Sequence, residues 1–327
     1  MRGGLVLLKS LILEKNQEKM WINLDERASA LVKDCKGIEF YSIRHSILGR
    51  LKAELRLSRA SRKNDIVLCF HGIPPLLPVR GKVVVFAQNK HHLVSTSLSN
   101  FKVNTRFRLT MERLICRLFK GRVHKYIVQT QSMKVALINW HGDNPLVNIM
   151  PFMKKLEKSQ IEFKLVKKFD FVYVADGEFH KNHYHLISAL VLLAQEKIYP
   201  SLCLTLSKRY KDIIKKIDVE IVNHDLKIHN IGEVSHDEII NLYKSSSALI
   251  FPSTIESFGL PLLEATQVGL PILASEKDFV RDVCTPTDTF DPQSPLSISR
   301  AIKRYLKITT QPHQVCTGPE FLEEIWM

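Results

Sequence analysis

The stretch of residues 253–271 constrains the fold of this chain more than any other, because it reads as a tight turn and a helix set between two strands. The apolar run ALIFPS leads into it, and the run LPILAS follows the helical segment GLPLLEATQVG. Two short apolar strands joined by a helix are half of a doubly wound parallel sheet. In such sheets, ligands bind where strands end and helices begin, because the free amides and the dipole of a helix N-terminus favour phosphate.

Two carboxylates flank the start of this helix: Glu256 precedes the turn, and Glu264 lies within the helix. Between them, Phe258, Gly259 and Leu260 would offer their backbone amides to a phosphate. A carboxylate near a phosphate is favourable only where it accepts hydrogen bonds from hydroxyl groups, which indicates a ligand with a diol and a sugar, such as a nucleotide-sugar. The plainer interpretation is that Glu256 is an ordinary loop acid and Glu264 a solvated residue at the edge of the helix. The spacing alone does not decide between this interpretation and a ligand site.

Short apolar runs alternate with helical patterns along the rest of the chain. Before residue 151 the strand-like runs lie at 20–25, 38–43, 65–70, 82–87, 125–130 and 145–150, and the helical patterns at 48–61, 106–119 and 132–140. This α/β alternation predicts an N-terminal domain over residues 1–165, which ends in a charged connector, and a second domain over 166–308. A helical piece in the tail, 309–327, is expected to pack back on the N-terminal domain.

The chain starts with Arg2-Gly3-Gly4 and continues at once with the helical pattern LVLLKSLIL. A glycine pair of this kind normally follows the first strand of such a domain. We therefore expect that the first strand of the N-terminal domain is missing and that the natural reading frame begins upstream of Met1.

Charge divides the 327 residues into two unlike halves. Residues 1–168 contain 32 Lys or Arg against 12 Asp or Glu, a net +20, whereas residues 169–327 contain 15 against 21, a net −6. A basic half can attract nucleic acid, an anionic membrane surface or a phosphorylated substrate. The sequence has no aromatic RNA-binding motif, zinc finger or basic zipper, so we predict no nucleic-acid partner and favour the membrane or a phosphate.

Apolar runs are too short to cross a bilayer, since the longest, at 186–194, has nine residues against the roughly 20 that a spanning helix needs. Because no secretion signal is recognisable, the chain is expected in the cytoplasm, with peripheral contact at the inner face of the membrane. The six cysteines are scattered and form no C-x-x-C pair, which favours buried thiols over a zinc or disulfide site.

Polar residues at predicted strand ends are further candidates. Lys181, in the loop ADGEFHKNH before a helix, is well placed to meet a phosphate. His71 could contact a substrate, although a lone histidine at a strand end is more often structural. His91 and His92 are expected to be solvated.

Three histidines beside Lys181 superficially suggest a metal site: His180, His183 and His185. Their spacing is not the i, i+4 pair of a metallohydrolase, so we predict helix-capping and surface roles for them. The chain also contains no D-x-D, the motif by which another large transferase fold holds a metal on a diphosphate. We therefore expect no metal.

The content and order of these motifs resemble one protein family. ESFGLPLLEA looks like the E-x7-E signature of the retaining GT-B glycosyltransferases of the family 4 type, the bacterial group 1 glycosyltransferases, and ADGEFHKNH is similar to a loop in one bacterial branch. The glycine pair, a PP-containing loop, Gln88-Asn89, LIFPS and FDP follow in a similar order. The resemblance implies a GT-B fold, in which two Rossmann-like, doubly wound parallel-sheet domains face a cleft. The C-terminal domain would bind a nucleotide-sugar and the N-terminal domain the acceptor.

The resemblance also implies roles for individual residues. Glu256 would contact the hydroxyls of the donor sugar and Lys181 would neutralise the diphosphate, which makes these two the catalytic candidates. The other donor-binding candidates are Gly4, Ile231, Phe258, Gly259, Leu260 and Glu264. Of these, Gly4 would close over the phosphates, Ile231 would meet the base, and Glu264 would bind the ribose diol.

Two positions depart from the family pattern. Ala175 stands where many members carry an Arg, and Lys208 or Arg209 could supply the second charge instead. Gln88-Asn89 stands where many members place a catalytic His, so no base is assigned. Retention by front-face attack, in which the leaving phosphate takes the acceptor proton, requires none.

These features predict a retaining hexosyltransferase that moves a sugar from a nucleotide-sugar to a glycan or lipid-linked glycan in surface polysaccharide or lipopolysaccharide biosynthesis, with no cofactor. His71 and Asn89 are the candidates on the acceptor side. Two alternatives remain open: a GT-B protein that has lost catalysis and binds within a polysaccharide assembly complex, and a GT-B sugar-nucleotide epimerase. The nucleotide, sugar, acceptor and linkage are not predicted.

Overall fold

The computed structural model describes residues 3–13, 20–26, 38–93, 101, 103–153, 155–156, 166–309 and 315–326. The N-terminal half contains, in chain order, α1 (Gly3–Leu13), β1 (Met20–Asp25), β2 (Ile38–Ile43), α2 (Ile47–Ala60), β3 (Ile66–Cys69), β4 (Lys82–Phe86), α3 (Val103–Phe119), β5 (Lys125–Val128), α4 (Gln131–His141) and β6 (Val147–Ile149). Every strand and helix predicted before residue 151 is confirmed, with ends that shift by three residues at most.

The strands of this half form two parallel sheets. β1 pairs with β2, and β3, β4, β5 and β6 pair in that order. Leu8 and Ile12 of α1 pack with Leu24 of β1, and Phe70, which follows β3, joins the same apolar cluster. Helix α1 therefore connects the two sheets by packing, and the strand expected before Gly4 stays a prediction.

The C-terminal half contains β7 (Phe169–Tyr173), α5 (His183–Gln195), β8 (Leu202–Leu204), α6 (Lys211–His224), β9 (Ile228–Asn230), α7 (His236–Lys244), β10 (Ser246–Phe251), α8 (Leu260–Gln267), β11 (Ile272–Ser275), α9 (Asp278–Arg281), β12 (Asp288–Phe290) and α10 (Pro295–Tyr305). The strands pair in parallel in the order β9-β8-β7-β10-β11-β12. Counted from β7, this is the order 3-2-1-4-5-6 of a doubly wound nucleotide-binding sheet. The predicted α/β architecture of this half is confirmed.

The strand order reverses between β7 and β10, where Phe171 and Ala248 are partners in the register. The residues from Ala248 to Phe251 are all buried, as expected for a strand that helices cover on both faces. Ligands of doubly wound sheets bind in the crevice beyond the carboxyl ends of the strands at this reversal, which is called the switch point.

The two halves meet through polar contacts beyond the carboxyl ends of their strands. Thr130 Oγ donates a hydrogen bond to the carbonyl oxygen of Ser257 over 3.2 Å, and the backbone amide of Ser132 donates to Asp282 Oδ2 over 2.8 Å. Beside these contacts lies a cavity of about 800 Å³, which residues of both halves line.

The tail helix α11 (Gly318–Trp326) has no buried residue, so its packing on the N-terminal domain stays a prediction.

Four thiols are buried or partly buried, as predicted: Cys69, Cys116, Cys203 and Cys284. Cys316 is exposed, because it precedes this unpacked helix, and the prediction was wrong for it. Cys35 lies outside the described residues. Among the described helices, none combines the length and the apolar character needed to cross a bilayer.

Candidate active site

Lys181 and Glu256 come together at the switch point of the C-terminal sheet. Lys181 lies in the loop after β7 and Glu256 in the turn after the neighbouring β10, and Lys181 Nζ is 2.6 Å from Glu256 Oε1. Ser253 Oγ donates a hydrogen bond to the same oxygen over 2.6 Å. Only 16% of the Lys181 side chain and 12% of the Glu256 side chain are exposed, so the ion pair is nearly closed to water.

Each partner keeps the other charged. Burial lowers the pKa of Lys181, but Glu256 and Asp176 outweigh burial and hold this pKa above its ordinary value. Burial likewise raises the pKa of Glu256, but Lys181 and the Ser253 hydroxyl outweigh it and hold that pKa below its ordinary value. At neutral pH the site therefore contains a cation and an anion in contact, and a ligand that uses either must share or open the pair.

Asn182 holds the loop that carries Lys181. Its backbone is left-handed, with φ at 62°. Its side-chain amide donates to the carbonyl oxygens of Pro252 and Pro292, which follow β10 and β12, over 3.1 and 2.6 Å. Tyr173, at the end of β7, donates its hydroxyl to the carbonyl oxygen of Lys181 over 2.6 Å. The loop is thus tied to the carboxyl ends of three strands, which limits the positions that Lys181 can take.

Gly259 starts the helix that follows Glu256. Its φ of 75° lies in the left-handed region, and a Cβ atom there would approach Leu262 Cδ1 to 3.0 Å. Pro261 occupies the first turn of α8, where its missing amide hydrogen costs nothing. Phe258 is buried beneath the turn. The amides from Phe258 to Leu260 lie at the N-terminus of α8 as predicted from the sequence, and their binding of phosphate stays a prediction.

Glu264 is a buried carboxylate that two side chains hold. His236 Nε2 lies 3.0 Å from one of its oxygens, and the Tyr243 hydroxyl donates to the other over 3.1 Å. Burial, and then Glu264 itself, raise the pKa of Tyr243 well above its ordinary value, so its hydroxyl remains a donor. Glu264 is 6% exposed, which excludes the solvated helix edge that the sequence left open.

His236 and Tyr243 were not identified from the sequence. They lie seven residues apart on α7, a spacing that puts both on one side of a helix. That spacing shows which two residues share a face of α7, but only the packing of α7 beside α8 shows that the face meets Glu264.

Two predicted donor-binding residues lie at strand or helix ends. Ile231 follows β9, where its amide donates to the carbonyl oxygen of Leu204 over 3.0 Å and its side chain is 47% exposed. Gly4 lies in the first turn of α1, and a Cβ atom there would be 3.2 Å from Gln88 Oε1. Gly4 is thus close to the loop after β4. Contact of Ile231 with a base and of Gly4 with phosphates stays a prediction.

The acceptor-side candidates differ in their surroundings. His71 follows β3 and is exposed. Asn89 instead holds the turn of residues 90–92: its Oδ1 accepts from the amide of His91 over 3.0 Å, and its Nδ2 lies 3.0 Å from His92 Nε2. His92 is 5% exposed and lies 3.1 Å from Glu112, so the prediction that it is solvated was wrong. A role for His71 or Asn89 toward an acceptor stays a prediction.

His91 reaches the domain boundary, where its ring is 5.4 Å from that of His180. Burial lowers the pKa of His91 to about 4, so this imidazole is neutral near pH 7. The expected surface role is also wrong for His183, which is 3% exposed. Its ring is tilted by 42° against that of Tyr173, with 5.0 Å between the ring centres. His185 Nδ1 lies within hydrogen-bond distance of Asn182 Oδ1, at 2.6 Å, close to the start of α5. These environments depend on domain contact and packing, which spacing does not encode.

Arg209 is one of the two residues considered as a second charge. Its guanidinium lies 3.9 Å from Asp176, in the same loop as Lys181, and 4.7 Å from the centre of the Tyr210 ring. A charge that compensates for Ala175 stays a prediction. In the part of the chain that the structure describes, His, Cys, Asp and Glu side chains form no group of three that could hold a metal ion.

The cavity between the halves carries polar groups and an aromatic ring. Lys90, Asn139 and Trp140 line it from the N-terminal half, and Asp278 and Asp282 from the C-terminal half. Amide and carboxylate groups beside an aromatic ring suit a ligand that is rich in hydroxyl groups.

Comparison with known proteins assigns the C-terminal half to a family. Residues 154–316 match the family described as glycosyl transferases group 1. The chain is 31% identical over 86 residues to the serotype-specific mannosyltransferase WbdA of Escherichia coli, and 32% identical over 106 residues to O-antigen chain mannosyltransferase B of Escherichia coli. These matches cover 26% and 32% of this chain and 11% and 28% of the relatives, so the chain spans less than a third of each of these curated relatives.

The similarity in fold extends over nearly the whole chain. The crystal structure of Anabaena Alr3699/HepE in complex with UDP-glucose superposes with a TM-score of 0.68, over 93% of this chain and 86% of that chain, at 16% identity. The predicted pair of Rossmann-like domains is thereby confirmed as the fold. Residues 154–316 therefore resemble the group 1 glycosyltransferases, and the chain has the GT-B fold.

Proposed function

We propose that this chain transfers a hexose from a nucleoside-diphosphate sugar to a glycan or lipid-linked glycan in surface polysaccharide biosynthesis, with retention of configuration and without a metal ion or cofactor. The observation that carries the proposal is the Lys181–Glu256 pair, which lies at the switch point and just before the N-terminus of α8. The names of the mannosyltransferase relatives and the UDP-glucose complex of HepE support a hexose and a nucleotide-sugar donor. The reaction would take place in the cytoplasm, at the inner face of the membrane.

Charge explains how these residues would act. When the glycosidic bond to the nucleoside diphosphate breaks, negative charge develops on the leaving oxygen, and Lys181 and the amides that start α8 would bind it. A preorganised donor of this kind contributes about 3 to 4 kcal/mol to the transition state. Glu256 would accept hydrogen bonds from hydroxyls of the donor sugar, and Glu264 from the ribose diol. Because Lys181 is already paired with Glu256, a bound donor would separate the two charges or lie across both.

The transfer itself needs no protein base. The acceptor oxygen would form its bond to the anomeric carbon on the face from which the diphosphate departs. The acceptor proton would pass to the departing phosphate oxygen as the glycosidic bond breaks, so that the products are the new glycoside and the protonated nucleoside diphosphate.

The test is turnover of UDP-, GDP- and ADP-hexoses by the purified chain, with and without a polyprenyl-diphosphate-linked glycan. We expect Lys181→Ala and Glu256→Gln each to lower kcat by about 100-fold or more. A matched control is Lys303→Ala, which breaks another ion pair of a buried lysine, the one with Glu196. Glu196 follows the last residue of α5, at the end of that helix remote from Lys181, so this variant should lose stability but keep its turnover per folded molecule. Unchanged turnover in both site variants would contradict the proposal.

A second candidate is a GT-B protein that binds a nucleotide without transferring sugar. The closure of Lys181 on Glu256 favours it, because each group already has its partner. The discriminating result is a thermal shift with nucleotides but no turnover of any sugar nucleotide in the panel. A ligand at about 100 times its Kd raises the free energy of unfolding by about 2.7 kcal/mol, which such an assay detects.

A further inference from the structure

Helix α3 carries an apolar stripe on its exposed side. Leu109 and Cys116 mark its buried side and are 3% and 4% exposed. Five other apolar residues are between 41% and 81% exposed and form the stripe: Val103, Phe107, Met111, Leu114 and Leu118. Their spacing of three or four residues keeps them on one face, because each residue of an α-helix advances by about 100°.

The stripe faces away from the protein. At about 100° per residue, its centre lies roughly 180° around the helix from Leu109 and Cys116. A helix on the surface of a globular domain normally turns a single apolar side inward and a polar side to water. Helix α3 therefore has a second apolar side that the described residues of its own domain do not cover. A contiguous exposed apolar patch marks a site of interaction.

Arginines border the stripe on both sides. Arg106 and Arg117 lie along one edge and Arg108 along the other, and all three are exposed. The helix carries four Arg against one Glu, in a half of the chain with a net charge of +20. An apolar face between arginines is complementary to an anionic bilayer, in which apolar side chains enter the interface and guanidinium groups meet the phosphates of the headgroups.

The stripe also lies beside the cleft. Arg117 lines the cavity between the two halves together with Trp140 and Asp278, while Leu114 and Leu118 lie within one helical turn of Arg117. A chain that rests on a membrane through α3 would therefore bring the mouth of the cavity to the lipid surface.

We propose that the exposed stripe of α3 and its bordering arginines dock this chain on the surface of an anionic lipid bilayer. This docking rests on the proposed function for its purpose. If the acceptor is carried by a lipid, it reaches the cleft from the membrane. Docking itself is a property of the surface and can be measured without any reaction.

The test is co-sedimentation of the full chain with vesicles of phosphatidylcholine alone and with vesicles in which about a third of the lipid is phosphatidylglycerol. We expect binding to the anionic vesicles only. The double variant Phe107→Asp/Leu118→Asp should bind about tenfold or more weakly, because it places two carboxylates in the apolar stripe. Each of Arg106→Gln and Arg117→Gln should weaken binding about fivefold.

A matched pair of valines controls for the added charge. Val103 in α3 and Val222 in α6 are both 81% exposed and both lie on helices. Val103→Asp should weaken binding to anionic vesicles, whereas Val222→Asp should not. Since all the substituted side chains are exposed, circular dichroism and melting temperature should match those of the wild type, which separates lost docking from lost folding.

Three results would overturn the proposal. The wild type could fail to bind the anionic vesicles, or the double variant could bind them as tightly as the wild type. A third is concentration-dependent dimerisation that Phe107→Asp/Leu118→Asp abolishes, without vesicle binding, which would assign the stripe to a second copy of the chain. Turnover with a water-soluble acceptor is measured in parallel: its absence in the wild type would count against the proposed function and leave the docking result intact.

Discussion

Lys181 and Glu256 are separated by 75 residues in the chain, yet Lys181 Nζ lies 2.6 Å from Glu256 Oε1. They meet because β7 and β10 are neighbours in the sheet, so the loops that follow these strands emerge at the same crevice. Both side chains are largely buried. Removing one partner of a buried pair leaves the other charge without compensation, whereas removing both does not.

Stability should show this dependence directly. We expect Lys181→Met to lower the free energy of unfolding by about 3 to 5 kcal/mol, because it leaves the carboxylate of Glu256 buried and unpaired. The double variant Lys181→Met/Glu256→Gln should recover part of that loss. Urea denaturation of the two single variants and the double variant measures the coupling. Additive losses, with no recovery in the double variant, would show that the pair does not behave as a unit.

Nucleotide binding should depend on the hydroxyl that holds Glu264. Tyr243→Phe removes the donor to one buried carboxylate oxygen, which costs about 1 to 3 kcal/mol. One of the two contacts that hold the carboxylate is then lost, and Glu264 can turn about its remaining contact with His236. The affinity for whichever of UDP or GDP binds the wild type should therefore fall. The preference for that nucleotide over its 2′-deoxy analogue should fall with it, as measured by isothermal titration calorimetry.

Tyr305→Phe is the matched control for that variant. Its hydroxyl donates to the carbonyl oxygen of Ser247 over 2.7 Å. Ser247 lies near the start of β10, at the amino ends of the strands, whereas the site lies beyond their carboxyl ends. Removing the Tyr305 hydroxyl should lower stability without changing the preference for ribose. An equal change of preference in Tyr305→Phe and Tyr243→Phe would show that the effect is general loosening of the domain.

The turn before α8 should tolerate no side chain. Gly259→Ala forces a left-handed conformation on a residue with a Cβ atom and brings that atom to 3.0 Å from Leu262 Cδ1. We expect a loss of stability of about 1 to 2 kcal/mol from the backbone alone, together with weaker nucleotide binding. Gly269→Ala has a similar φ, 67°, but open space around the added atom. The control should share the loss of stability and keep the affinity; weakened binding in both would point to backbone strain instead of the site.

His91 should make the free energy of unfolding depend on pH. Its pKa is about 4 in the folded chain against an ordinary value of 6.5, mainly because it is buried. Above pH 6.5, His91 is neutral in both the folded and the unfolded chain and does not change the free energy of unfolding. As the pH falls from 6.5 toward 4, the unfolded chain takes up a proton that the folded chain does not, so the free energy of unfolding declines.

His91→Phe removes that titration and keeps an aromatic ring against His180. Denaturant titrations at several pH values between the two pKa values should therefore give a shallower slope for the variant than for the wild type. An NMR titration of the wild type offers an independent check, since the ring signals of His91 should not shift between about pH 7 and 5. A ring that titrates in that range would contradict the buried position.

Local pattern in the sequence determined the elements of the fold and the kinds of residue at the site. Strand-like runs and helical spacing act over a few residues, and for that reason every strand and helix expected in the N-terminal half is found. Turn chemistry around Gly259 predicted a helix that starts there, and the loop before α5 identified Lys181. These predictions required no knowledge of which strands are neighbours.

Tertiary structure alone decided which residues meet. The order β7-β10 joins strands that are not consecutive in the chain, so the contact of Lys181 with Glu256 is not encoded in any local spacing. The bonds of His236 and Tyr243 to Glu264 depend in the same way on how two helices pack. Burial of a histidine is likewise a property of the assembled domains, because only packing removes a side chain from water.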